Sequence, residues 1–457
     1  MTQPVSLNWI PVGLTILAIF LFFRSRRRSL SYLRGPPRNS KLFGRELDLL
    51  FQQDVGDLEF KWVEEYGTAF PVPNCYGQDT LFICDPRALQ YVLHTSEYKY
   101  PRPADLKFLL KGFLGSGIIY SEDATHQRQR KILNPAFSGE HLRQFLTDFQ
   151  AHTNRLVRHI DDQLTHGKDT IDMAKLLPKI TLDIIGDTGF RYRFGALEDE
   201  ITELSHKFLH LFDDSKRITK YQLLSNALRR YLPPFVSEMT RLAPTKEELR
   251  FADFHQASSK LAEAIINQKG RDLVDPARGT DILDILREQM FPAAIESGVG
   301  VNFNITVTDR SNNSEDPNKR MSDHEVFSQL ASRNHGVYDW MAALRTVLPQ
   351  IWGKDANEWN PSRFLDIDSR EQTAVGPFFN LGTFSAGPKS CLGFRFGVTE
   401  VRAIIVGLLE AFEFFLPEGG LELQKLPGGG ILHPMVRGKL HEGPSLPLVV
   451  KPRQAVM

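Results

Sequence analysis

The segment FSAGPKSCLG, Phe384 to Gly393, encloses one cysteine in a tight loop punctuated by glycine. A deprotonated Cys391 would bind a metal such as iron, but a bare thiolate is reactive and must be shielded. Shielding takes backbone N–H groups aimed at the sulfur, with glycine wherever a side chain would strike a flat ligand. Gly387 and Gly393 bracket Cys391 in that way, and Phe384 offers an aromatic wall. The stretch that follows, FRFGVTEVRAIIVGLLEAFEFF, reads as a strongly apolar helix. Its N-terminus lies beside the sulfur, where the helix dipole favours negative charge. The other reading of Cys391 is a loop-borne core cysteine ahead of a helix. Cys75 and Cys84 sit in a strand–turn–strand pattern and read as small apolar packing residues. Three cysteines in 457 residues argue against a disulfide scaffold and fit a reducing compartment.

The elements that must position this loop are mostly helical. In GEHLRQFLTDFQAHTNRLVRHIDDQL, Leu142, Phe145, Phe149, Leu156, Ile160 and Leu164 recur at three-, four- and seven-residue spacings, one apolar stripe. PKITLDIIGDTGF is apolar almost all round, as in a helix buried within a large α domain. Strand signals are confined to AFPVPNCYGQDTLFICDP and to short pieces near the C-terminus, so the expected fold class is mainly α with a small β-sheet. The polar, glycine-spaced segment Gly298 to Arg320 reads as a loop. Lys+Arg and Asp+Glu both number 55, which gives no basic excess for a nucleic-acid partner. No nucleophile–base pairing supports a hydrolase.

Leu7 to Phe23 carries no charge and sits at the short end of the roughly 17–25 residues of a spanning helix. No Lys or Arg precedes it and RSRRR follows, the reverse of a secretory signal peptide. The positive-inside tendency then keeps the basic end cytosolic. RGPPRNS, Arg34 to Ser40, is a proline-stiffened connector. The expected organisation is a transmembrane anchor with its basic flank over 1–34 and a cytosolic body over 35–457.

Phe384, Gly387, Lys389, Cys391 and Gly393 together resemble the haem-binding loop of the cytochrome P450 family, Phe-x-x-Gly-x-Arg-x-Cys-x-Gly. Lys389 stands where arginine is usual, keeping the charge but losing the planar fork. HQRQRKILNPAF resembles the family's propionate helix, with His126 where Trp is common and Arg130 at the arginine position. IWGKDANEWNPSRF resembles the meander, with Arg363 in its Pro-x-Arg-Phe element, and the anchor with its RGPP hinge fits microsomal members. The resemblance implies haem with Cys391 as axial thiolate, Arg130 and Lys389 pairing with the propionates, and His126 donating a hydrogen bond. It also implies O2 and a lipophilic small molecule as substrates, NADPH as electron source through a reductase, and an endoplasmic reticulum membrane location. Arg128, Lys131 and Arg395 either meet an acidic reductase or form a solvated charged face.

Two elements of the family pattern are missing. No Ala/Gly-Gly-x-Asp/Glu-Thr segment, the family's oxygen-activating signature, occurs in the chain, so no proton-delivery residue is matched. The late Glu-x-x-Arg helix is also missing: Glu140–Arg143 and Glu247–Arg250 lie too early and read as surface pairs. The capping box Ser322 to Glu325 should start a helix, yet the meander-like segment already begins at Ile351. Ala342-Ala-Leu-Arg345 has Ala where Glu belongs. An insertion at about 291–320 beside a deletion at about 330–350 suggests a mis-spliced or decayed coding sequence. The expectation is a haem-dependent monooxygenase; the alternative is a catalytically inactive, membrane-tethered haem-binding remnant.

Overall fold

A computed structural model describes residues 32–199, 203–209, 219–231, 240–271, 382–428 and 431–454, with single positions at 30, 282 and 362. The anchor at Leu7 to Phe23, the loop 298–320, the capping box, Arg345 and Arg363 lie outside the described residues. Among the described residues, no helix is long and apolar enough to cross a membrane.

The longer helices among the described residues are α1 (Asp57–Tyr66), α2 (Ala104–Leu114), α3 (Asp123–Leu133), α4 (Gly139–Thr165), α5 (Met173–Phe190), α6 (Glu203–Leu209), α7 (Lys220–Tyr231), α8 (Lys246–Arg271) and α9 (Phe394–Ala411). The strands are β1 (Ala69–Pro73), β2 (Asp79–Ile83), β3 (Thr170–Asp172), β4 (Phe412–Phe415), β5 (Leu423–Gly428), β6 (Ile431–Val436) and β7 (Pro447–Pro452). They form an antiparallel β1–β2 pair, a sheet in the order β3–β7–β4, and a β5–β6 hairpin. The chain is thus mainly helical with small sheets.

It divides into two compact units, Met1–Leu89 with Ile218–Ala243, and Gln90–Arg217 with Pro244–Met457. In the first unit, β1 and β2 pair from Ala69↔Ile83 to Pro73↔Asp79, and the rings of Phe70 and Phe82 stack at 4.7 Å. Both of its cysteines are buried, and burial, the first cause in each case, pushes the thiols up to about 12 for Cys75 and about 11 for Cys84. They are inert packing groups, not ligands.

The second unit is built on the α4–α9 seam. Ser138 caps α4, its hydroxyl accepting from His141 N–H, and the expected stripe of Leu142, Phe145, Phe149, Leu156 and Ile160 is buried. Across the seam, α9 offers Phe396, Ile404 and Leu408, with Phe149 and Phe396 edge to face at 5.0 Å. Each large apolar side chain buried here is worth about 1.5–3 kcal/mol, so the seam is what holds the cysteine loop at the head of α9. The helix is shorter than its apolar run suggests. It stops at Ala411, because Phe412–Phe415 pairs with β7 from Phe412↔Pro452 to Phe415↔Val449. Ladder bonds to a neighbouring strand outweigh local helix preference there.

Candidate functional site

Three segments of the second unit converge on the cysteine loop: residues 91–102, the turn leading into α3, and α3 itself. Gly387–Lys389 forms a 3-10 turn, closed by Ser390 N–H donating to Gly387 O at 3.0 Å. Cys391 N–H donates to Phe384 O at 2.8 Å, which ties the two ends of the motif together. The Phe384 ring lies 6.1 Å from that of Phe394.

The two glycines differ in what they do. Gly387 has φ +65°, and a Cβ on it would sit 1.9 Å from Leu93 O in the π-helical turn Tyr91–Thr95. Its bareness admits a neighbouring backbone, which is a reason the loop's spacing does not disclose. Gly393 has φ −89°, and a Cβ there would meet the Phe137 ring at 3.4 Å.

Cys391 is exposed, yet the protein packed around its loop pushes its thiol up. The Gly393 N–H and the Arg130 charge act the other way without winning. Burial at the start of α9 thus favours the protonated thiol.

Arg130 reaches this loop directly. It donates to Ser390 O at 2.6 Å and to Ser390 Oγ at 3.3 Å. Lys389 pairs with Glu122 at 2.6 Å, and Arg102 pairs with the same carboxylate at 3.0 Å. Burial pushes Glu122 up, but hydrogen bonds from Lys389 and the Arg102 backbone, with both charges, hold it below its usual range. His126 is buried on α3, and its Nδ1 lies 2.9 Å from Tyr98 Oη. Burial first, then Arg130, Arg102 and Lys389, brings its pKa down to about 4, so the imidazole is neutral at physiological pH. The α3 end itself is anchored by Gln129, fully buried, which accepts from Ser121 Oγ at 2.9 Å and donates to Ser116 O at 3.3 Å.

The seven residues singled out as the haem site thus fall in one region, whereas Arg363 of the meander-like segment lies outside the described residues. Cys391, Lys389, Gly387, Phe384 and Gly393 form the loop, and His126 with Arg130 lines the facing helix. Tyr98, Arg102, Glu122 and Ser390 were not foreseen. Three of them come from irregular segments with no periodicity, and pairing between distant segments, 260 positions apart for Arg130 and Ser390, leaves no local trace. Next to the loop, Leu142, Leu146, Phe394 and Val398 floor a groove of about 360 Å³ rimmed by Arg143, Arg395 and Arg402. Glu140 and Arg143 are both exposed on α4. Among the described residues, no group of three or more His, Cys, Asp or Glu could hold a metal ion.

The Cytochrome P450 family profile matches residues 35–308 and 346–441. The chain belongs to the cytochrome P450 family. Cytochrome P450 monooxygenase 128 of Postia placenta is 26% identical over 96% of this chain and 97% of its own length. Cytochrome P450 monooxygenase claQ of Ampulloclitocybe clavipes is 25% identical over 93% of this chain and 94% of its own. By family, then, this cytochrome P450 is a monooxygenase, and the family's cofactor is haem with a thiolate ligand. The donor set described above suits such a group: one cysteine sulfur free of any disulfide, three cations, and a neutral imidazole beside a phenol. The family match is interrupted between 308 and 346. The alignment with monooxygenase 128 runs over 554 positions, so on the order of a hundred positions hold residues in the relative and none in this 457-residue chain.

Proposed function

We propose that this cytochrome P450 holds haem through the Cys391 thiolate and inserts one oxygen atom from O2 into a lipophilic small molecule. Electrons come from NADPH through a reductase. The observation that carries the reading is the double hydrogen bond from Arg130 to Ser390, which sets a propionate-binding cation against the residue next to the sulfur. When bound, haem supplies the oxygen activation. The chain's own residues bind and orient it. Cys391 would hold the iron as a thiolate, its proton released to solvent as the metal binds, and the Gly393 N–H and Arg130 favour that anion. Arg130 and Lys389, with Arg102 beside them, meet the two propionates. With Nδ1 of His126 accepting from Tyr98, the neutral ring carries its proton on Nε2 and donates from there.

The arginine-rimmed groove beside the loop suits an acidic reductase surface, as do exposed Lys131 and Arg395 and half-buried Arg128. Leu7 to Phe23 would anchor the chain in the endoplasmic reticulum membrane with its body cytosolic.

The test is reconstitution of the purified full-length chain with haemin, followed by a reduced-plus-CO difference spectrum. A Soret band at the thiolate position, lost in Cys391→Ala, is the expected result. Undiminished haemin affinity in Cys391→Ala, or no uptake at all, would overturn the assignment.

A second reading, a haem-binding remnant without turnover, has its own support. The family match is interrupted, and one face of α9 carries Val401, Ile405 and Leu409 exposed at four-residue spacing. Such a stripe is normally covered. Haemin uptake without NADPH-dependent oxygen consumption in the presence of reductase would favour it, and a transcript sequenced across Gln289 to Asp355 would show whether coding sequence has been lost.

A further inference from the structure

Glu122 occupies the N-cap position of α3, where the shorter Asp or Ser would accept from the first free N–H groups of the helix. It makes no such bond. Its side chain turns away to the loop, with Oε2 at 2.6 Å from Lys389 Nζ and Oε1 taking the Arg102 guanidinium at 3.0 Å and the Arg102 backbone N–H at 3.2 Å. The side chains of Glu122 and Lys389 are each only 10% exposed. A carboxylate held in a nearly buried ion pair instead of facing solvent calls for an explanation.

Lys389 supplies it. The ammonium is a point charge on a flexible stem, and it stands where the family resemblance has a planar fork that orients itself. In this chain the ammonium is oriented from outside, by Glu122 on one side and by the Tyr98 ring, 5.4 Å away, on the other. Tyr98 also holds His126, so the arrangement puts Lys389 and His126 on a common support. The charges felt at His126 are those of Arg130, Arg102, Lys389 and Glu122. Three cations against one anion leave a balance that two carboxylates would neutralise.

We propose that Glu122 is a positioning residue for the haem propionates: it fixes the Lys389 ammonium and the Arg102 guanidinium so that the pair offers one directed carboxylate site. This rests on the haem reading above. Glu122 touches neither iron nor propionate; it acts through Lys389 and Arg102.

The experiment is haemin release from the reconstituted full-length chain to excess apomyoglobin, with haemin dimethyl ester, whose propionates are blocked, as a second probe. Glu122→Gln should release haemin about tenfold faster than the parent and the diester less than twofold faster. Glu122→Gln combined with Lys389→Arg should return to within about threefold of the parent, because arginine brings its own fork. Equal acceleration of both probes would mean a general loosening of the fold and would overturn the proposal, as would failure of Lys389→Arg to rescue. If Glu122→Gln does not fold, Glu122→Asp keeps the charge but withdraws it by one methylene. Haemin release from that variant should be intermediate, and a parental rate would overturn the proposal. The two readings separate cleanly. Cys391-dependent uptake with unchanged release from Glu122→Gln sinks this inference alone, whereas no uptake by the parent chain sinks both.

Discussion

Two glutamates, the largely buried Glu122 against the cysteine loop and the buried Glu400 on α9, meet opposite fates. Glu122, in front of the loop, has Lys389 and Arg102 on its oxygens and is held below its usual range although burial pushes it up. Glu400, on the shaft of α9, is 6% exposed, and among the described residues its Oε1 has no hydrogen-bond partner. Burial raises its pKa to about 8. It lies four residues from Phe396 and four from Ile404, an acid in a stripe otherwise made for apolar contact. The same side chain is thus ionised where the chain supplies partners and protonated where it does not. Charge is tolerated at the mouth of the loop because it serves there; on the seam it is neutralised by keeping its proton.

The sharpest break of that contrast is to replace the carboxyl group by an amide at both places. Glu122→Gln leaves the largely buried Lys389 and the half-buried Arg102 without their counter-ion and should lower unfolding free energy by about 1–3 kcal/mol. Glu400→Gln should do the reverse at neutral pH. The folded-state pKa of Glu400 is raised from 4.5 to about 8, so its contribution is fully present below pH 4.5 and is lost as pH rises towards 8. The glutamine variant has no such loss. Its stability relative to the parent should therefore climb by about 1.4 kcal/mol per pH unit across that window, read from denaturant midpoints at a series of pH values. A difference that does not change with pH would mean that Glu400 is ionised and partnered, and the contrast with Glu122 would disappear.

The same contrast explains what could be read in advance. The seam was legible because apolar residues at helical spacing repeat along one stretch of chain, as at Leu142, Phe145 and Phe149. The cysteine loop was legible because several residue types at fixed spacing carry one chemistry. The polar half of the site was not. Tyr98, Arg102 and Glu122 lie in turns, and their roles follow from which segment the fold places opposite. Even the glycines were found for a reason that geometry replaces, since Gly387 makes room for Leu93 O. Glu400 was hidden for a different reason: an acid within an apolar helix reads as its solvent face until the burial of that face is known. The strand Phe412–Phe415 was absorbed into the helical reading because apolar residues continued without a break, and only its pairing with β7 separates them.

The smallest test concerns how tightly the seam excludes change. A Cβ on Gly407 of α9 would lie 2.3 Å from Thr153 Cγ2 of α4, while Thr153 Oγ1 donates to Phe149 O at 2.7 Å. Gly407→Ala gains up to about 1 kcal/mol of helix propensity but overpacks the seam by about 1–3 kcal/mol, so it should be destabilising by about 1 kcal/mol. Thr153→Ser removes the offending methyl and keeps the hydroxyl. In that background the packing cost vanishes and Gly407→Ala should become stabilising. A sign change between the two backgrounds, measured by thermal unfolding, would show that the α4–α9 seam is close-packed despite the acid it contains. The same sign in both would mean that the helices can shift apart, and a seam loose enough to do that would also admit water to Glu400 and bring its behaviour closer to that of Glu122.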